Sequence, residues 1–557
     1  MYKFIQLSSL EKVMLTGNRF PKKEFVRASC LKNETFSYQI AFTNDCTKKQ
    51  EEGIGYAYHE DFKVTLKSPL KKYITLRTVE YIPAAMPAYN DPADTHFISK
   101  EIGLYPDLLK PLSRPFVVVN ADKYFSLWIT LKLDGAVAAG TYPIEIVFQS
   151  ERGERIQKVM ELEIVDAMLP KQEMLFTQWL HADCIASYYQ VKVFSKKHWE
   201  LLGKFMKAAA DGGVNLLLTP IFTPPLDTQI GKERPTVQLV DVEKTGNTYT
   251  FEFSKLRRWI AMAKSVGIEN FEMAHLFSQW GAKAAPKIVV KENGRKKKMF
   301  GWHTPAAGDA YKEFLNAFLP ALIAVLKEEG VEKNTFFHIS DEPNKKHLED
   351  YLAAKAIVAP LLKDFPIIDA LSHVEYYQTG AVAHPVPSSR AVIDFIEAGV
   401  SDLWTYYCCS TSPGLSNRYM AMPSSRNRAI GLQMYKHDVK GFLHWGFNFY
   451  YCMHSKEMIN PYCVSDAKGA FPSGDAYSVY PGTNGPWDSL RLLVFYDALQ
   501  DVRALKLLES YIGKEEVVKM VDSEGLVDFF SYPADPRFLL ELREAVNQKI
   551  KDLGRKR

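Results

Sequence analysis

The spacing of hydrophobic residues divides the chain near residue 170. Before that point, short segments alternate apolar and polar residues and are separated by turn residues. Apolar residues recur at every second position through 125–131, and a turn at 139–143 precedes the next segment. Examples of the strands predicted in this way are 35–42, 73–81, 125–133, 142–148 and 159–165. This pattern predicts an all-β domain, a sandwich.

After Pro170 the pattern changes, and strand-like runs alternate with segments of helical period. The predicted strands are 175–181, 215–222, 270–277, 335–341, 367–372, 402–407 and 441–447, with 477–480 as a short eighth. Helical patterns lie between them, and glycines at 212–213 and 267 end two of the helices just before a strand. Alternation of this kind predicts a parallel (β/α)8 barrel of the TIM type.

The predicted fold is therefore multidomain. An N-terminal all-β sandwich covers 1–170, a catalytic (β/α)8 barrel covers 171–510, and a C-terminal helical segment, 511–557, packs on the barrel. Two insertions, 236–253 and 288–300, alternate around Gly-Asn and Asn-Gly turns and are predicted to be β-hairpins. The basic run at 295–298 fits a solvated hairpin tip.

Composition indicates an ordinary globular protein. The 557 residues are 47% hydrophobic and 24% charged, and a net charge of +4 is too small to indicate a nucleic-acid partner. No segment predicts membrane insertion, and the first residues show no signal peptide. Seven cysteines without a Cys-x-x-Cys pair fit reduced core thiols. We therefore expect a cytoplasmic protein, although a secreted protein trimmed of its leader would look the same.

The stretch 336–343, Phe-Phe-His-Ile-Ser-Asp-Glu-Pro, carries the strongest chemical signal. An apolar run that ends in two carboxylates and a proline predicts a buried strand that delivers Asp341 and Glu342 to its C-terminal end. Because proline favours extended geometry in the residue before it, we expect Glu342 to project as a strand residue. The alternative is a solvated acidic turn without function.

Polar and aromatic residues follow several predicted strands, and the C-terminal ends of barrel strands converge on one pocket. The residues expected there are His181 and Asp183 after strand one, His275 and Gln279 after strand three, Trp404, Tyr406 and Tyr407 from strand six, and Trp445 and Asn448 from strand seven. Such a set is typical of a sugar site. Each aromatic or histidine taken singly also fits the core.

Metal and cofactor sites are not predicted. His181, Asp183, His275 and His338 would lie near one another, but the chain has no His-Glu-x-x-His or similar dense ligand spacing. A glycine-rich phosphate loop after a strand is also missing. We therefore expect no metal and no cofactor.

Adjacent carboxylates restrict the chemistry. A retaining glycosidase with a protein nucleophile needs two carboxylates from different strands about 5 Å apart. The predicted seventh strand, where the large barrel clan of retaining enzymes keeps its nucleophile, ends without a carboxylate. Neighbouring carboxylates suit substrate-assisted catalysis, in which the 2-acetamido oxygen of the sugar attacks C1. Asp341 would then orient the acetamido N–H, and Glu342 would act as general acid and base.

The chain resembles glycoside hydrolase family 123, the exo-acting β-N-acetylgalactosaminidases. The matching segments are 340–343, 441–448, 474–482 and 489–491, in that order along the chain. The resemblance implies a sandwich followed by a barrel, and hydrolysis of terminal β-linked N-acetylgalactosamine (GalNAc) with retention through an oxazolinium-type intermediate. The expected partner is an oligosaccharide or glycoconjugate substrate.

The resemblance also implies roles for single residues. Tyr407 or Tyr406 would hydrogen-bond the acetamido carbonyl, Asp475 and Tyr480 would lie in a loop that closes over the sugar, and Trp404 and Trp445 would form an apolar wall. Two alternatives stay open: hydrolysis of another 2-acetamido sugar such as N-acetylglucosamine (GlcNAc), and a non-catalytic carbohydrate-binding protein on the same scaffold.

Overall fold

The computed structural model of this chain describes residues 2–45, 59–410, 414–533 and 535–555. It groups the chain into two compact units. The first unit contains Met1–Gln172, Ser416–His437 and Trp487–Arg557, and the second contains Glu173–Leu415 and Asp438–Pro486. Both units therefore combine segments that are distant in sequence.

The first unit contains two five-stranded sheets, which confirms the predicted β-rich N-terminal half. The strands are β1 (Tyr2–Ser8), β2 (Arg27–Lys32), β3 (Thr35–Asn44), β4 (His59–Lys67), β5 (Ile74–Ala84), β6 (Gly103–Pro111), β7 (Phe116–Asn120), β8 (Phe125–Lys132), β9 (Gly140–Ser150) and β10 (Arg155–Met168). One sheet has the order β1-β3-β8-β5-β6 and the other β2-β10-β9-β4-β7. One buried cluster takes side chains from both sheets, as in a sandwich.

Strand β8 is buried on both faces, and the alternation along it explains why. Leu127 and Ile129 belong to the cluster that draws on both sheets. Trp128 points to the opposite face and packs with Leu490 and Leu493. These two leucines lie in the helix that runs from Leu490 to Ile512, so the outer face of the sheet is covered by a helix of the same unit.

The helices of the first unit come from the second half of the sequence. They are α8 (Ser424–Arg428), α9 (Ile430–Lys436), α10 (Leu490–Ile512), α11 (Lys514–Val521) and α12 (Pro536–Gly554). Helix α12 contacts β2 and β10 of the sandwich. The C-terminal helices thus pack on the β-sheets, whereas the sequence assigned 511–557 to the barrel. The predicted boundaries 1–170, 171–510 and 511–557 remain a prediction.

The second unit is built on parallel strands. Its strands are β11 (Leu175–Gln178), β12 (Leu216–Thr219), β13 (Asp241–Thr245), β14 (Thr248–Glu252), β15 (Asn270–Met273), β16 (Ile288–Glu292), β17 (Arg295–Phe300), β18 (Thr335–Phe336), β19 (Ile368–Leu371), β20 (His384–Pro387), β21 (Trp404–Tyr406), β22 (Gly441–His444), β23 (Val479–Gly482) and β24 (Gly485–Asp488). A six-stranded parallel sheet has the order β18-β15-β12-β11-β22-β21.

Helices alternate with these strands along the sequence. They are α1 (Ala182–Tyr188), α2 (Lys196–Asp211), α3 (Ser254–Ser265), α4 (Asp309–Glu328), α5 (Leu348–Val358), α6 (Glu375–Gln378) and α7 (Val392–Glu397). Short 3₁₀ turns occupy Glu332–Asn334, Lys345–His347 and Met453–Ser455 in this unit, and Lys71–Tyr73 in the first unit. The second unit is therefore a curled parallel sheet with helices. No helix in the described part of the chain is long and apolar enough to cross a bilayer.

The eighth parallel strand differs from the prediction. Strands β19 and β20 form a parallel pair, and isolated parallel bridges join Phe337 to Ile367 and Ser388 to Tyr406. Strand β20 has the sequence His-Pro-Val-Pro. Because proline is disfavoured in the interior of a sheet, the sequence pattern did not predict a strand there. The predicted eighth strand at 477–480 is wrong, because β23 pairs only with β24 in a separate two-stranded sheet. The strands predicted as sixth and seventh are therefore seventh and eighth in chain order.

Both predicted hairpins are confirmed. Strand β13 pairs with β14 and β16 pairs with β17, each in antiparallel register. A parallel pairing of β13 with β16 joins the hairpins into one four-stranded sheet. The two insertions therefore form a single accessory sheet, a connection that the local sequence patterns do not reveal.

A buried ion pair tests how α10 is held on the sandwich. The Arg491 guanidinium donates to both Asp107 carboxylate oxygens at 2.7 and 2.8 Å, and both side chains are buried. Because Asp107→Asn leaves the arginine charge without its anion, we expect the free energy of unfolding to fall by about 3–5 kcal/mol. Urea denaturation measures this change. The exposed pair Glu516 and Lys519 gives the control, since solvent screens this pair and Glu516→Gln should leave the free energy of unfolding nearly unchanged. Equal effects of the two variants would contradict this assignment.

Candidate active site

The strand that carries the carboxylate pair is fixed by hydrogen bonds from its neighbours. Regular pairing ends at Phe336, and the buried residues 337–340 continue inward. The Ser340 hydroxyl donates to the Ser278 carbonyl at 2.8 Å and accepts from the backbone N–H of Ala282 at 3.2 Å. The Asp341 carbonyl accepts from the N–H of Trp280 at 2.8 Å. The chain is therefore held tightly on both sides of the pair.

Glu342 does not extend the strand, in contrast to the prediction from Pro343. Its φ is +43°, in the left-handed region, and its N–H donates to the carbonyl of Ala370 at 3.1 Å. A non-glycine residue in this region stores about 1–3 kcal/mol of strain, which the surrounding contacts must offset. The prediction was wrong because a tertiary hydrogen bond to the neighbouring strand overrides the local preference of a residue before proline.

The two carboxylates occupy different environments. Asp341 is half-buried, and its carboxylate accepts no hydrogen bond from any described residue. Burial, and then the charge of Glu342, raise the pKa of Asp341 well above its usual value. Glu342 is exposed, and its Oε1 accepts a hydrogen bond from the Tyr406 hydroxyl at 2.6 Å. The Asp341 carboxyl thus retains its proton more readily than an isolated one.

The two tyrosine candidates are separated by the structure. Tyr406 is the last residue of β21, and its hydroxyl lies on Glu342. Tyr407 is fully buried, with its ring edge against Phe442 at 4.9 Å and His444 at 5.5 Å between ring centroids. Tyr406 is therefore the tyrosine that the structure places beside the carboxylate pair.

A buried histidine lies beneath the pair between two acids. His338 Nε2 is 2.9 Å from Glu272 Oε2, and its Nδ1 is 3.4 Å from Asp369 Oδ1. Burial lowers the pKa of His338, but the bonds and charges of Asp369 and Glu272 outweigh it and raise the pKa to about 9. Asp369 also accepts from the Tyr351 hydroxyl at 2.6 Å. His338 therefore lies between two carboxyl groups that favour its protonated form at neutral pH.

His275 stacks on the His338 ring. The ring centroids are 4.3 Å apart with an interplanar angle of 20°, and Trp179 meets His275 edge-on at 5.4 Å. Burial, followed by the charge of His338, lowers the pKa of His275 well below its usual value. Neither ring nitrogen of His275 has a hydrogen-bond partner among the described residues. A neutral, unsatisfied imidazole so close to the pair is available to a polar ligand.

His275, His338 and Asp369 place one donor atom each within 4.8 Å of one another, which raises the question of a metal ion. Imidazole lone pairs lie in the ring plane, and two nearly parallel rings 4.3 Å apart direct them along separate lines. They do not converge on one ion at the about 2.0–2.1 Å that zinc requires. The three residues do not fit a metal site.

Trp445 and Asp475 are brought together. The Trp445 indole N–H donates to Asp475 Oδ2 at 2.9 Å, and the Trp445 ring packs edge-on against Phe449 and Phe471. His444 Nε2 lies 3.7 Å from Asp475 Oδ1. The segment around Asp475 is therefore attached to the end of β22.

His181 and Asp183 are occupied by protein partners. Arg234 donates to both carboxylate oxygens of Asp183, at 2.6 and 2.8 Å, and its Nη2 is 3.1 Å from His181 Nδ1. His181 Nε2 is 2.9 Å from the Trp445 carbonyl. Burial, and then the charge of Arg234, lower the pKa of His181 to about 3. Asn448 completes the arrangement by bonding the backbone of His181 at 2.8 and 3.1 Å.

The remaining predicted residues differ in accessibility. Gln279 donates to the Thr228 carbonyl at 3.1 Å, and its Oε1 has no partner among the described residues. The buried Trp404 ring covers Gly441 and meets Phe336 at 5.9 Å, which places it in the core. Tyr480 is fully buried against Tyr477 at 5.3 Å.

Sequence reasoning missed several residues of this region: Asp227, Arg234, Glu272, Asp369 and His454. Glu272 and Asp369 had a usable signal, since each is an acid inside an apolar strand, where an unpaired charge is costly. Arg234 had none, because it lies in a polar loop that resembles a solvated turn. Its partners come from distant segments.

Comparisons with known proteins show the family of this chain. A parallel sheet with acids, aromatics and histidines at its strand ends defines, together with the family match, a glycoside hydrolase. The model described as glycoside hydrolase 123, catalytic domain, matches residues 179–508. The chain belongs to glycoside hydrolase family 123, which confirms the resemblance seen in the sequence. No curated protein sequence gives a significant match.

Solved structures support the fold. A family 123 glycoside hydrolase from Clostridium perfringens, solved in work on glycolipid glycan hydrolysis, matches with a TM-score of 0.72 at 15% identity. The match covers 99% of this chain and 98% of that chain. A Bacteroides ovatus GH5 xyloglucanase matches with a TM-score of 0.32 at 7% identity, covering 85% of this chain and 98% of that chain. Only the first of these carries an argument about fold.

The His338 imidazolium gives a pH prediction. Its folded pKa of about 9 lies above the reference value of 6.5, so its contribution to stability is complete below about pH 6.5 and is lost as the pH rises through 9. We expect the thermal midpoint of the wild type to fall more steeply between pH 6.5 and 9.5 than that of His338→Gln. The exposed His303 gives the control, and His303→Gln should follow the wild type. Equal slopes for His338→Gln and the wild type would contradict the assignment.

Proposed function

We propose that this protein is a retaining exo-glycosidase that removes a terminal β-linked GalNAc, with the 2-acetamido group of the substrate as nucleophile. The observation that carries the proposal is the free carboxylate of Asp341 beside Glu342. A half-buried acid without a hydrogen-bond donor is unsatisfied until a ligand supplies one. The acetamido N–H of a 2-acetamido sugar is a donor of the right kind.

The first step would convert the bound substrate into the oxazolinium-type ring intermediate. The acetamido oxygen attacks C1, the bond from C1 to the leaving oxygen breaks, and the Glu342 carboxyl gives its proton to that oxygen. Positive charge develops on the acetamido group, and the Asp341 carboxylate stabilises it through the N–H. Binding of the N–H favours ionised Asp341, and Glu342 must carry a proton to act as the acid when the leaving group departs.

The second step would reverse these roles. Glu342, now a carboxylate, takes a proton from water, and the water oxygen attacks C1 from the face that the leaving group vacated. The bond from C1 to the acetamido oxygen breaks and restores the N-acetyl group. The product is the β-anomer, and the Glu342 carboxyl is protonated again for the next cycle. Tyr406, whose hydroxyl lies on Glu342, would position that carboxylate.

The ends of the last two parallel strands offer no protein nucleophile, which supports this route. Strands seven and eight of the parallel set end with the sequences Trp-Thr-Tyr-Tyr at 404–407 and His-Trp-Gly-Phe-Asn at 444–448, neither of which contains a carboxylate. A covalent mechanism would need one about 5 Å from Glu342 on another strand. Asp475, which lies beside the end of β22, is bonded to Trp445.

We further propose that the eight parallel strands form a (β/α)8 barrel, in which strand ends share one pocket. The order of strand pairs and the two isolated bridges support this arrangement. His275 and Gln279, which retain unsatisfied polar atoms, would then bond sugar hydroxyls, and Trp445 would provide an apolar wall. His181, Asp183 and Asn448 would support that wall instead of contacting the sugar.

The choice of GalNAc over GlcNAc depends on the contact made by O4. The proposal for GalNAc derives from the family, and paired aryl glycosides of the two sugars test it by their kcat/KM ratio. A glycolipid glycan is a candidate substrate, since the similar Clostridium perfringens protein was solved in that context. Faster hydrolysis of the GlcNAc glycoside would retain the mechanism and change the sugar.

The mechanism predicts distinct losses for the two carboxylates. Asp341→Asn and Glu342→Gln should each reduce kcat for 4-nitrophenyl β-GalNAc by about 10²–10⁴-fold, because each removes one transition-state contribution. Azide should raise the turnover of Glu342→Gln, since it attacks the intermediate without needing a base. A thiazoline analogue of the intermediate should inhibit the wild type tightly.

Exposed acids on the same unit provide matched controls. Asp364→Asn and Glu349→Gln change side chains that lie on the surface and should leave kcat within about twofold of the wild type. Activity that survives both Asp341→Asn and Glu342→Gln would refute the assignment of the pair as catalytic.

A further inference from the structure

A second group of side chains adjoins the carboxylate pair and has no assigned role. Two loops meet there: the N–H of Gln229 donates to the carbonyl of His454 at 3.1 Å, and the N–H of His454 donates to Asp227 Oδ2 at 2.9 Å. The Trp280 ring meets the His454 ring at 5.7 Å. We call Asp227, Ile230, Trp280, Met453 and His454 the ledge.

The ledge is directly connected to the pair. The backbone N–H of Trp280 donates to the Asp341 carbonyl at 2.8 Å. The charge of Asp227 also acts on Asp341, where it contributes to the raised pKa of that carboxyl. Any group bound on the ledge therefore lies beside the bond that the pair would cleave.

The ledge offers both apolar and polar contacts to a ligand. Ile230 is 73% exposed and Met453 is 39% exposed, and the Trp280 ring is half-buried. Asp227 Oδ2 is bonded to His454, whereas Oδ1 has no partner among the described residues. An accessible indole ring next to a free carboxylate oxygen fits the apolar face and the hydroxyl groups of a pyranose.

The backbone of the ledge is strained at three residues. Asp227, Trp280 and His454 have φ values of 39°, 57° and 63°, in the region that favours glycine. Each costs about 1–3 kcal/mol, and a bulky tryptophan is an uncommon occupant of this region. Side chains retained under strain beside a reaction centre indicate a function for those side chains.

We propose that the ledge is the subsite for the leaving group, and that it binds a neutral hexose whose ring stacks on Trp280 and whose hydroxyl donates to Asp227. This inference rests on the proposed function, because it places the leaving sugar relative to Asp341 and Glu342. An anionic sugar is disfavoured, since it would meet three carboxyl groups at once. Ile230 and Met453 would contact the carbon-bound hydrogens at the edge of the ring.

Two substrates distinguish a loss of binding on the ledge from a loss of catalysis by Asp341 and Glu342. GalNAc β-linked to galactose places a hexose on the ledge, whereas GalNAc β-fluoride leaves it empty and needs no proton from Glu342. For Trp280→Ala we expect the ratio of kcat/KM for the disaccharide to that for the fluoride to fall by about tenfold, the equivalent of one lost stacking contact. Trp280→Phe should restore most of the ratio.

Trp487 gives the matched control, because it is also a half-buried tryptophan but lies in β24, which contains none of the ledge residues. Trp487→Ala should preserve the wild-type ratio. A Trp280→Ala variant that loses both substrates in equal proportion, or neither, would overturn the proposal.

A binding measurement keeps this test independent of turnover. If the wild type hydrolyses neither substrate, the proposed function fails, and the ledge is then judged by saturation-transfer NMR with methyl β-galactoside. Binding to the wild type that is lost in Trp280→Ala supports the ledge as a hexose subsite. No binding to the wild type overturns it.

Discussion

The left-handed turn at Glu342 is the constraint on which the candidate site depends. Successive side chains of a regular strand point to opposite faces, so two neighbouring carboxylates on a continuing strand would face different regions. The positive φ of Glu342 ends the alternation immediately after Asp341. The bond from the Glu342 N–H to Ala370, and the bond from Trp280 to the Asp341 carbonyl, hold this geometry. Strain at one residue thus removes the strand alternation that would direct the two adjacent acids to opposite faces.

The candidate site also depends on the balance of the charges that are buried near the carboxylate pair. Three acids, Glu272, Asp341 and Asp369, lie in or near the buried sheet, and so much negative charge would be unstable without a cation. His338 supplies that cation between Glu272 and Asp369. Stacking of neutral His275 on the imidazolium adds a favourable cation–π contact and leaves the nitrogens of His275 free for a ligand. A similar pairing of Asp183 with Arg234 supports Trp445 through His181.

Local patterns in the sequence predicted strands β3, β5, β8, β9 and β10 of the sandwich, seven of the eight parallel strands, both hairpins and the place of Asp341 and Glu342 after the fourth parallel strand. Several features escaped them for physical reasons. Strand β20 contains two prolines, and only its place in a parallel sheet reveals it. The extended conformation expected at Glu342 gave way to a tertiary hydrogen bond. Arg234, Asp227 and His454 lie in loops, where partners come from segments distant in sequence and no periodicity marks them.

The strand-end pattern located several residues correctly, but it did not show whether each of them contacts a ligand or supports a neighbouring residue. His181, Asp183 and Asn448 do lie at strand ends, but their polar atoms are satisfied by Arg234, Trp445 and one another. Trp404 occupies the beginning of β21 instead of its end, so its ring packs in the core. Burial and hydrogen-bond satisfaction, which depend on the whole fold, distinguish a support from a ligand contact.

The most direct test of substrate-assisted catalysis changes the nucleophile itself. Aryl β-GalNAc substrates with N-acetyl, N-fluoroacetyl, N-difluoroacetyl and N-trifluoroacetyl groups lower the basicity of the attacking oxygen step by step while preserving the leaving group. If the acetamido oxygen attacks C1, kcat/KM falls steeply along this series and the trifluoroacetyl compound is nearly inert. A rate that is insensitive to fluorination would contradict the mechanism and require a nucleophile from the protein.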